Sequence, residues 1–266
     1  MLRTLRRLLA GAPEAARPAV PQGERVYAVG DIHGRADLFG ALVTAIEADD
    51  TARGSARTTV ILLGDLVDRG PDSAGVIDAA RDWQRRRPVR IIAGNHEEMF
   101  LQAFRKEEVL RTFLRHGGRE TLLSYPIDPQ AYAEADFAGV QDLMRAAVPA
   151  EDIAFLEGFE QMIAMGDYLF VHAGILPGTP PEHQRTTDLR WIREPFLSHS
   201  GDHGCVVVHG HTITEEPQIL PNRIGIDTGA FFSGRLTALA LEGTERWLVE
   251  ARDEDGTIGA QTRSIA

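Results

Sequence analysis

Three apolar runs, Arg25 to Val29, Thr58 to Leu63 and Val89 to Ala93, each feed a glycine-flanked turn that carries an acid or an amide. The turns are Gly30-Asp31-Ile32-His33-Gly34, Gly64-Asp65-Leu66-Val67-Asp68-Arg69-Gly70 and Gly94-Asn95-His96-Glu97. Helical segments separate them: Ala36 to Ala48, then Pro71 to Arg86 with Pro71 at a favourable first-turn position. A chain that repeats strand, polar turn and helix at intervals of about 30 residues is committed to βαβ units and a parallel sheet. Open α/β sheets bind ligands at the carboxyl ends of their strands, which is where all three turns fall. The glycines fit tight turns and close approach of backbone to an ion.

The alternation stops after His96. Glu98 to Arg115 reads as one long helix, followed by helical stretches at Ala131 to Ala147 and Glu151 to Phe159, with breaks at Tyr125-Pro126 and Val148-Pro149. Residues of about 97–165 therefore read as a helical insert flanking the site. Beyond it, Tyr168 to Val171, Cys205 to Val208, Arg223 to Ile226, Leu236 to Leu241 and Trp247 to Glu250 read as strands. Two of these runs end in Val171-His172-Ala173-Gly174 and His209-Gly210-His211-Thr212. The expected class is α/β (α+β by some schemes), with a two-sheet β-sandwich core flanked by helices. Residues 1–24 read as an N-terminal tail and linker, 25–251 as one domain, and 252–266 as a C-terminal tail. The basic stretch Met1 to Ala10 lacks the uninterrupted apolar segment of a secretory signal.

The formal net charge of −11 excludes an ordinary non-specific nucleic-acid binder, and no nucleic-acid partner is expected. It does not exclude a phosphorylated substrate, because bound cations would reverse the local field. The single cysteine, Cys205, sits in an apolar run and reads as a strand residue, which fits a reducing cytoplasm and not a thiol nucleophile. No apolar stretch is long enough to span a bilayer. Oligomeric state is not legible.

The five turns pool carboxylates, imidazoles, one amide oxygen and an arginine, a set that suits two divalent cations around a phosphate. Asp31 and His33, separated by one residue, can reach one cation. Asp65 can bridge it to a second, completed by Asn95, His172 and His211. A hydroxide shared by both metals would be the nucleophile. Arg69 can meet phosphate oxygens with a fork geometry that lysine lacks. His96 could protonate the departing oxygen, and Asp68 could orient His96 and raise its pKa. His209 reads as structural or as support behind a ligand. Glu97 reads as facing outward from the first turn of its helix, where acids are favoured.

These five segments resemble the calcineurin-like metallophosphoesterases, and within them the bacterial and phage form of the phosphoprotein phosphatase (serine/threonine protein phosphatase) branch. The resemblance runs from Arg25 to Glu250. It implies paired β-sheets flanked by helices, two metals (often manganese, with iron, zinc, nickel or cobalt as alternatives) and direct attack by metal-bound water without a phosphoenzyme. It implies Asp31, His33 and Asp65 on the first metal, and Asn95, His172 and His211 on the second beside the bridging Asp65. Asp68 and His96 match the family's acid pair, and Arg69 its phosphate arginine. Leu189-Arg190-Trp191-Ile192-Arg193-Glu194 resembles the stretch that supplies a second phosphate arginine, placed at Arg193 with Arg190 as the fallback; Arg69, Arg193, Asn95 and His96 would then contact the phosphate.

After Gly210-His211-Thr212 comes Ile213 and not the second histidine of a Gly-His-x-His motif, a departure that favours a phosphomonoester over a diester. The segment Phe113 to Leu122 is also similar to bacterial members, with His116 where a small amide is expected. Thr212 to Pro217 does not match the inhibitor-binding loop of eukaryotic relatives. The leading expectation is a phosphatase for phosphoserine and phosphothreonine, with phosphotyrosine as a further possibility. The alternatives are a bis(5'-nucleosyl)-tetraphosphatase, a broad small-molecule phosphatase, or an inactive phosphopeptide-binding module.

Overall fold

The computed structural model describes residues 17–265, so the expectation for the basic N-terminal stretch lies outside the described residues. Strand β1 (Glu24–Val29) leads to helix α1 (Ala36–Ala52), β2 (Arg57–Leu62) to α2 (Ser73–Arg86), and β3 (Val89–Ile91) to α3 (Asn95–Arg105). The insert continues with α4 (Glu107–Phe113), one π-helical turn at Leu114–Gly118, α5 (Arg119–Ser124), α6 (Pro129–Glu134), α7 (Phe137–Ala147) and α8 (Ala150–Glu157). Then follow β4 (Met162–Met165), β5 (Tyr168–Val171), α9 (Thr186–Trp191), β6 (Val206–His209), β7 (Gln218–Ile219) and β8 (Arg223–Gly225). Helix α10 (Ala230–Ser233) and strands β9 (Arg235–Glu242), β10 (Glu245–Glu254) and β11 (Thr257–Ser264) complete the fold.

The strands form two sheets, in the orders β11-β10-β9-β1-β2-β3 and β4-β5-β6-β8-β7. β1, β2 and β3 run parallel, as the βαβ repeat predicts, and β9 joins β1 antiparallel. Side chains alternate across each strand, and that alternation divides the core. Val26, Ala28, Ile61, Leu239 and Leu241 face the second sheet and pack on Tyr168, Phe170, Val208 and Ile224. Tyr27, Val29, Val60, Leu62 and Ala240 face the other way, onto the apolar sides of α1 and α2. On α2 that side is Val76, Ile77, Ala80 and Trp83, one helical stripe, and Asp72 caps its start by accepting the Gly75 N–H at 2.8 Å. Two sheets flanked by helices are what the sequence resemblance implied.

Three local readings are corrected. The long helix from Glu98 to Arg115 is broken at Lys106, whose backbone is extended (φ −130°, ψ 117°). The run Arg105-Lys106-Glu107-Glu108 offers no apolar residue to hold a continuous helix against the core. Ala131 to Ala147 is two helices, because Asp136 restarts the second by accepting the Gly139 N–H at 2.9 Å. Residues 252–264, read as tail, finish β10 and form β11. The Asp255-Gly256 pair, both left-handed (φ 52° and 84°), makes the two-residue hairpin turn that this dipeptide favours. Residues ahead of β1 are also tied down: Val20 N–H bonds the Gly243 carbonyl at 3.0 Å. Among the described residues, no helix is long and apolar enough to cross a membrane.

Candidate metal centre

Five strand ends deliver the polar residues to one place. Asp31 and His33 follow β1, Asp65 follows β2, Asn95 and His96 follow β3, His172 follows β5 and His211 follows β6. The turns are stitched together by backbone, with Ile32 and His33 N–H both on the Asp65 carbonyl at 3.1 and 2.9 Å. Non-glycine residues rarely adopt positive φ. Among the described residues His33 (45°), Asp65 (51°), Asp68 (74°), Arg69 (71°) and His211 (62°) do, and the sixth case is the hairpin residue Asp255. Each such residue costs on the order of 1–3 kcal/mol, and such strain collects at functional sites. Backbone also presses close: a Cβ on Gly94 would lie 2.1 Å from Asp65 Oδ1, and one on Gly210 would lie 2.0 Å from Asp31 Oδ1.

Two groups of donor atoms converge, and Asp65 belongs to both. His33, Asp65 and His96 form one and Asp65, His172 and His211 the other, the atoms of each lying within 4.8 Å of one another. Asp65 Oδ2 is 3.6 Å from His33 Nε2, 3.4 Å from His172 Nε2 and 3.9 Å from His96 Nε2. Asn95 Oδ1 joins the second group, 2.9 Å from His172 Nε2 and 2.8 Å from His211 Nδ1. Asp31 stands beside them, its carboxylate accepting the His211 backbone N–H at 3.0 and 3.2 Å.

The imidazole contacts test whether these residues fit a cation. His172 Nδ1 lies 2.9 Å from the Leu63 carbonyl and His33 Nδ1 lies 2.8 Å from that of Val67. A carbonyl can only accept, so each Nδ1 carries the hydrogen and each Nε2 is a bare lone pair. His172 Nε2 thus faces the Asn95 oxygen acceptor to acceptor, a buried contact that a shared cation relieves. Carbonyl-anchored imidazoles of this kind are what metal sites use to fix tautomer and ring orientation. The donor set fits divalent cations.

Electrostatics separates the histidines into two kinds. Burial pushes the pKa of His33 and His172 down and that of His211 to about 3, which keeps them neutral as cation binding needs. Burial works the same way on His96, but the negative charges of Asp65 and Asp68 outweigh it and raise its pKa. His96 Nδ1 sits 2.6 Å from Asp68 Oδ2. Asp65, at the centre of these imidazoles, is held well below the usual carboxylate range against the upward push of its burial. Arg69 reaches one histidine of each kind, both in the first group, with Nη1 2.8 Å from His33 Nε2 and Nη2 2.9 Å from His96 Nε2.

Other expected residues fall around this centre. Arg193 is exposed and among the described residues forms no ion pair with Glu194; its charge depresses the His211 pKa, which sets it at the rim. Arg190 is engaged elsewhere, on Glu98 at 3.2 Å and Gln161 at 3.1 Å. His209 is buried against Phe196 and Arg223, outside both groups. His116 is exposed, its ring 6.4 Å from that of His96.

Glu97 does not face outward. It is buried, and its carboxylate accepts backbone N–H groups of Asp65 at 2.9 Å, Leu66 at 2.7 Å and Gly94 at 2.9 Å. Burial and the Asp65 charge push its pKa up to about 7. The helix-start position favours an acid for its dipole, but the Asp65 and Leu66 N–H groups of the neighbouring turn, with that of Gly94 at the start of its own helix, draw the side chain inward. Two further residues are unannounced in the sequence reading. Asp227 presses its carboxyl on Asp31 and has a pKa raised to about 6 by burial, with the Asp65 charge adding to the rise. Phe231 sets its ring 5.5 Å from His33 and 4.8 Å beneath the Arg69 guanidinium. Asp227 follows an apolar strand and precedes Thr228-Gly229, the same strand-end signal that marked Asp31.

The family model for calcineurin-like phosphoesterases matches residues 24–230. The chain is 30% identical over 229 residues to the asymmetrical bis(5'-nucleosyl)-tetraphosphatase PrpE of Anoxybacillus flavithermus, covering 79% of this chain and 88% of the relative. It is also 30% identical over 226 residues to serine/threonine-protein phosphatase 1 of Salmonella typhimurium, covering 82% of this chain and 92% of the relative. A solved structure provisionally described as a diadenosine tetraphosphatase shares the fold, with TM-score 0.61 and 20% identity over 94% of this chain and 100% of that one. With the family match spanning most of its length, the chain belongs to the calcineurin-like phosphoesterases, metal-binding hydrolases of phosphoesters.

Proposed function

We propose that this chain is a two-metal phosphomonoesterase that removes phosphate from serine and threonine side chains of proteins. The observation that carries this reading is the buried His96–Asp68 pair beside Arg69 and Asp65. An alkoxide leaving serine or threonine is strongly basic and needs a proton as it departs, whereas a leaving nucleotide phosphate does not. His96, its pKa raised and its Nδ1 held on Asp68, would supply that proton. Arg69 would hold the phosphate oxygens, with the rim residue Arg193 as second arginine, and Asn95 and His96 complete the contacts to the phosphate.

Asp31, His33 and Asp65 would hold one cation and Asp65, Asn95, His172 and His211 the other, with manganese the proposed metal. When bound, two divalent cations supply charge neutralisation of the phosphate and a lowered pKa for attacking water. The unpaired, half-buried Cys205 supports a reducing compartment such as the cytoplasm.

A second reading, hydrolysis of dinucleoside polyphosphates, is favoured by the equal likeness to the Anoxybacillus relative. Turnover of a phosphoserine peptide and of diadenosine tetraphosphate by the manganese-loaded protein separates the two. A higher kcat/KM on the peptide is expected, and a strong preference for the nucleotide would replace the first reading with the second.

A further inference from the structure

The Asp68 carboxylate has two oxygens, and only one of them meets His96. The other, Oδ1, accepts a hydrogen bond from Thr121 Oγ1 at 2.6 Å. Thr121 lies 53 positions along the chain, on α5 of the helical insert. The same hydroxyl oxygen accepts the Asp68 backbone N–H at 2.8 Å, and Ser73 Oγ also lies within 3.0 Å of that N–H. Ser73 Oγ and Thr121 Oγ1 are 3.0 Å apart.

Proton counting fixes the direction of this network. Thr121 has one hydroxyl hydrogen, and the carboxylate can only accept, so that hydrogen points to Asp68. The Ser73 hydroxyl must then donate to Thr121. The result is a polarised chain from Ser73 through Thr121 to Asp68, which holds the ring of His96 from the far side. Ser73, Thr121 and Asp68 show no exposed surface and His96 only 1%, so water cannot substitute for a lost bond. Asp68 is also left-handed, and Thr121 clamps it by both its N–H and its carboxylate. The π-helical turn ahead of α5 supports the next residue, with the Gly117 carbonyl accepting the Arg69 N–H at 3.1 Å.

We propose that Thr121, backed by Ser73, is a positioning residue for the proton-donating His96, so that the helical insert sets the efficiency with which poor leaving groups depart. This rests on the proposed role of His96 as acid. Without the Thr121 hydroxyl, Asp68 Oδ1 is buried with no donor, the carboxylate can turn, and His96 loses its fixed aim.

Steady-state rates of Thr121→Val, Thr121→Ser, Ser73→Ala and His96→Asn with manganese, on a phosphoserine peptide and on p-nitrophenyl phosphate, test this. Thr121→Val is expected to lose about 10-fold or more in kcat on the peptide, the scale at which hydrogen-bond partners behind a site act. Its loss on p-nitrophenyl phosphate should be smaller, since that leaving group needs little protonation. Thr121→Ser keeps the hydroxyl and should restore the peptide rate. Ser73→Ala should show the same split more weakly, and it carries the test if the valine variant does not fold. Equal losses on both substrates in the Thr121 and Ser73 variants, or no loss in either, would overturn the proposal while a split in His96→Asn leaves the acid standing. No split in His96→Asn would remove the acid role itself and the positioning role with it.

Discussion

The loop Gly64 to Gly70 holds two aspartates three residues apart, and the structure treats them in opposite ways. Asp65 faces imidazoles whose Nδ1 hydrogens are taken by main-chain carbonyls, and burial keeps those rings neutral. Asp68 faces an imidazole whose Nδ1 meets the carboxylate itself, and the ring's pKa rises. The difference lies in what the second ring nitrogen touches. A carbonyl takes the hydrogen and leaves a neutral donor for a cation, whereas a carboxylate stabilises the imidazolium and leaves an acid. One seven-residue loop thus serves a proposed ligand half and a proposed proton half.

The deepest break in this comparison is Asp65→Asn. Losing the shared carboxylate should lower occupancy of both cations, seen by elemental analysis, and reduce phosphatase activity on the order of 10³-fold, about 4 kcal/mol of barrier. His96→Asn should leave metal content unchanged and cost about 10²-fold or more on a phosphoserine peptide, with less on p-nitrophenyl phosphate. Matching losses on the two substrates would place His96 with the other histidines.

Glu97→Gln acts beneath both halves. A glutamine amide presents hydrogens where the Asp65 or Gly94 N–H now donates, so stability should fall by about 1–3 kcal/mol in denaturant melts. An unchanged midpoint would show that the turn does not depend on that carboxylate.

The remaining expected effect is on pH. His211 and the buried His209 titrate near 3 in the folded chain against about 6.5 unfolded. Between those values the unfolded state binds protons that the fold refuses. Stability of the metal-free protein is therefore present above about pH 6.5 and lost as pH falls toward 3, by up to about 1.4 kcal/mol per pH unit for each histidine. His96 has the opposite sign, since its raised pKa contributes stability below about 6.5 that is lost as pH rises through the folded value. Denaturant midpoints across pH for wild type and His96→Asn should differ in that sense.

Much of this centre was readable because strand ends announce themselves. An apolar run, a glycine and then an acid, amide or histidine is a local signal that Asp31, Asp65, Asn95 and His211 carry, and His172 ends its apolar run directly, with a glycine two residues on. Glu97 was misread because a first-turn acid looks the same whether it serves the helix dipole or turns inward to cap a neighbouring loop. Thr121 and Ser73 gave no signal, since a hydroxyl acquires meaning only from a partner brought across 53 and 5 positions respectively. β11 was missed although Asp255-Gly256 was visible, because its exposed residues Gly259, Ala260, Gln261 and Thr262 lack the alternation of a half-buried strand. Phe231 and Asp227 belong to the segment between β8 and β9, where a strand end and the one-turn helix α10 hid two site-facing side chains.

Anomalous diffraction from crystals grown with manganese tests the central claim most directly. Two peaks should flank the Asp65 carboxylate, one against His33 and the other against Asn95, His172 and His211, with His96 Nδ1 still bonded to Asp68 and its Nε2 bound to neither ion. A single peak, or a peak ligated by His96, would contradict the division of the loop into a cation-holding half and a proton-giving half.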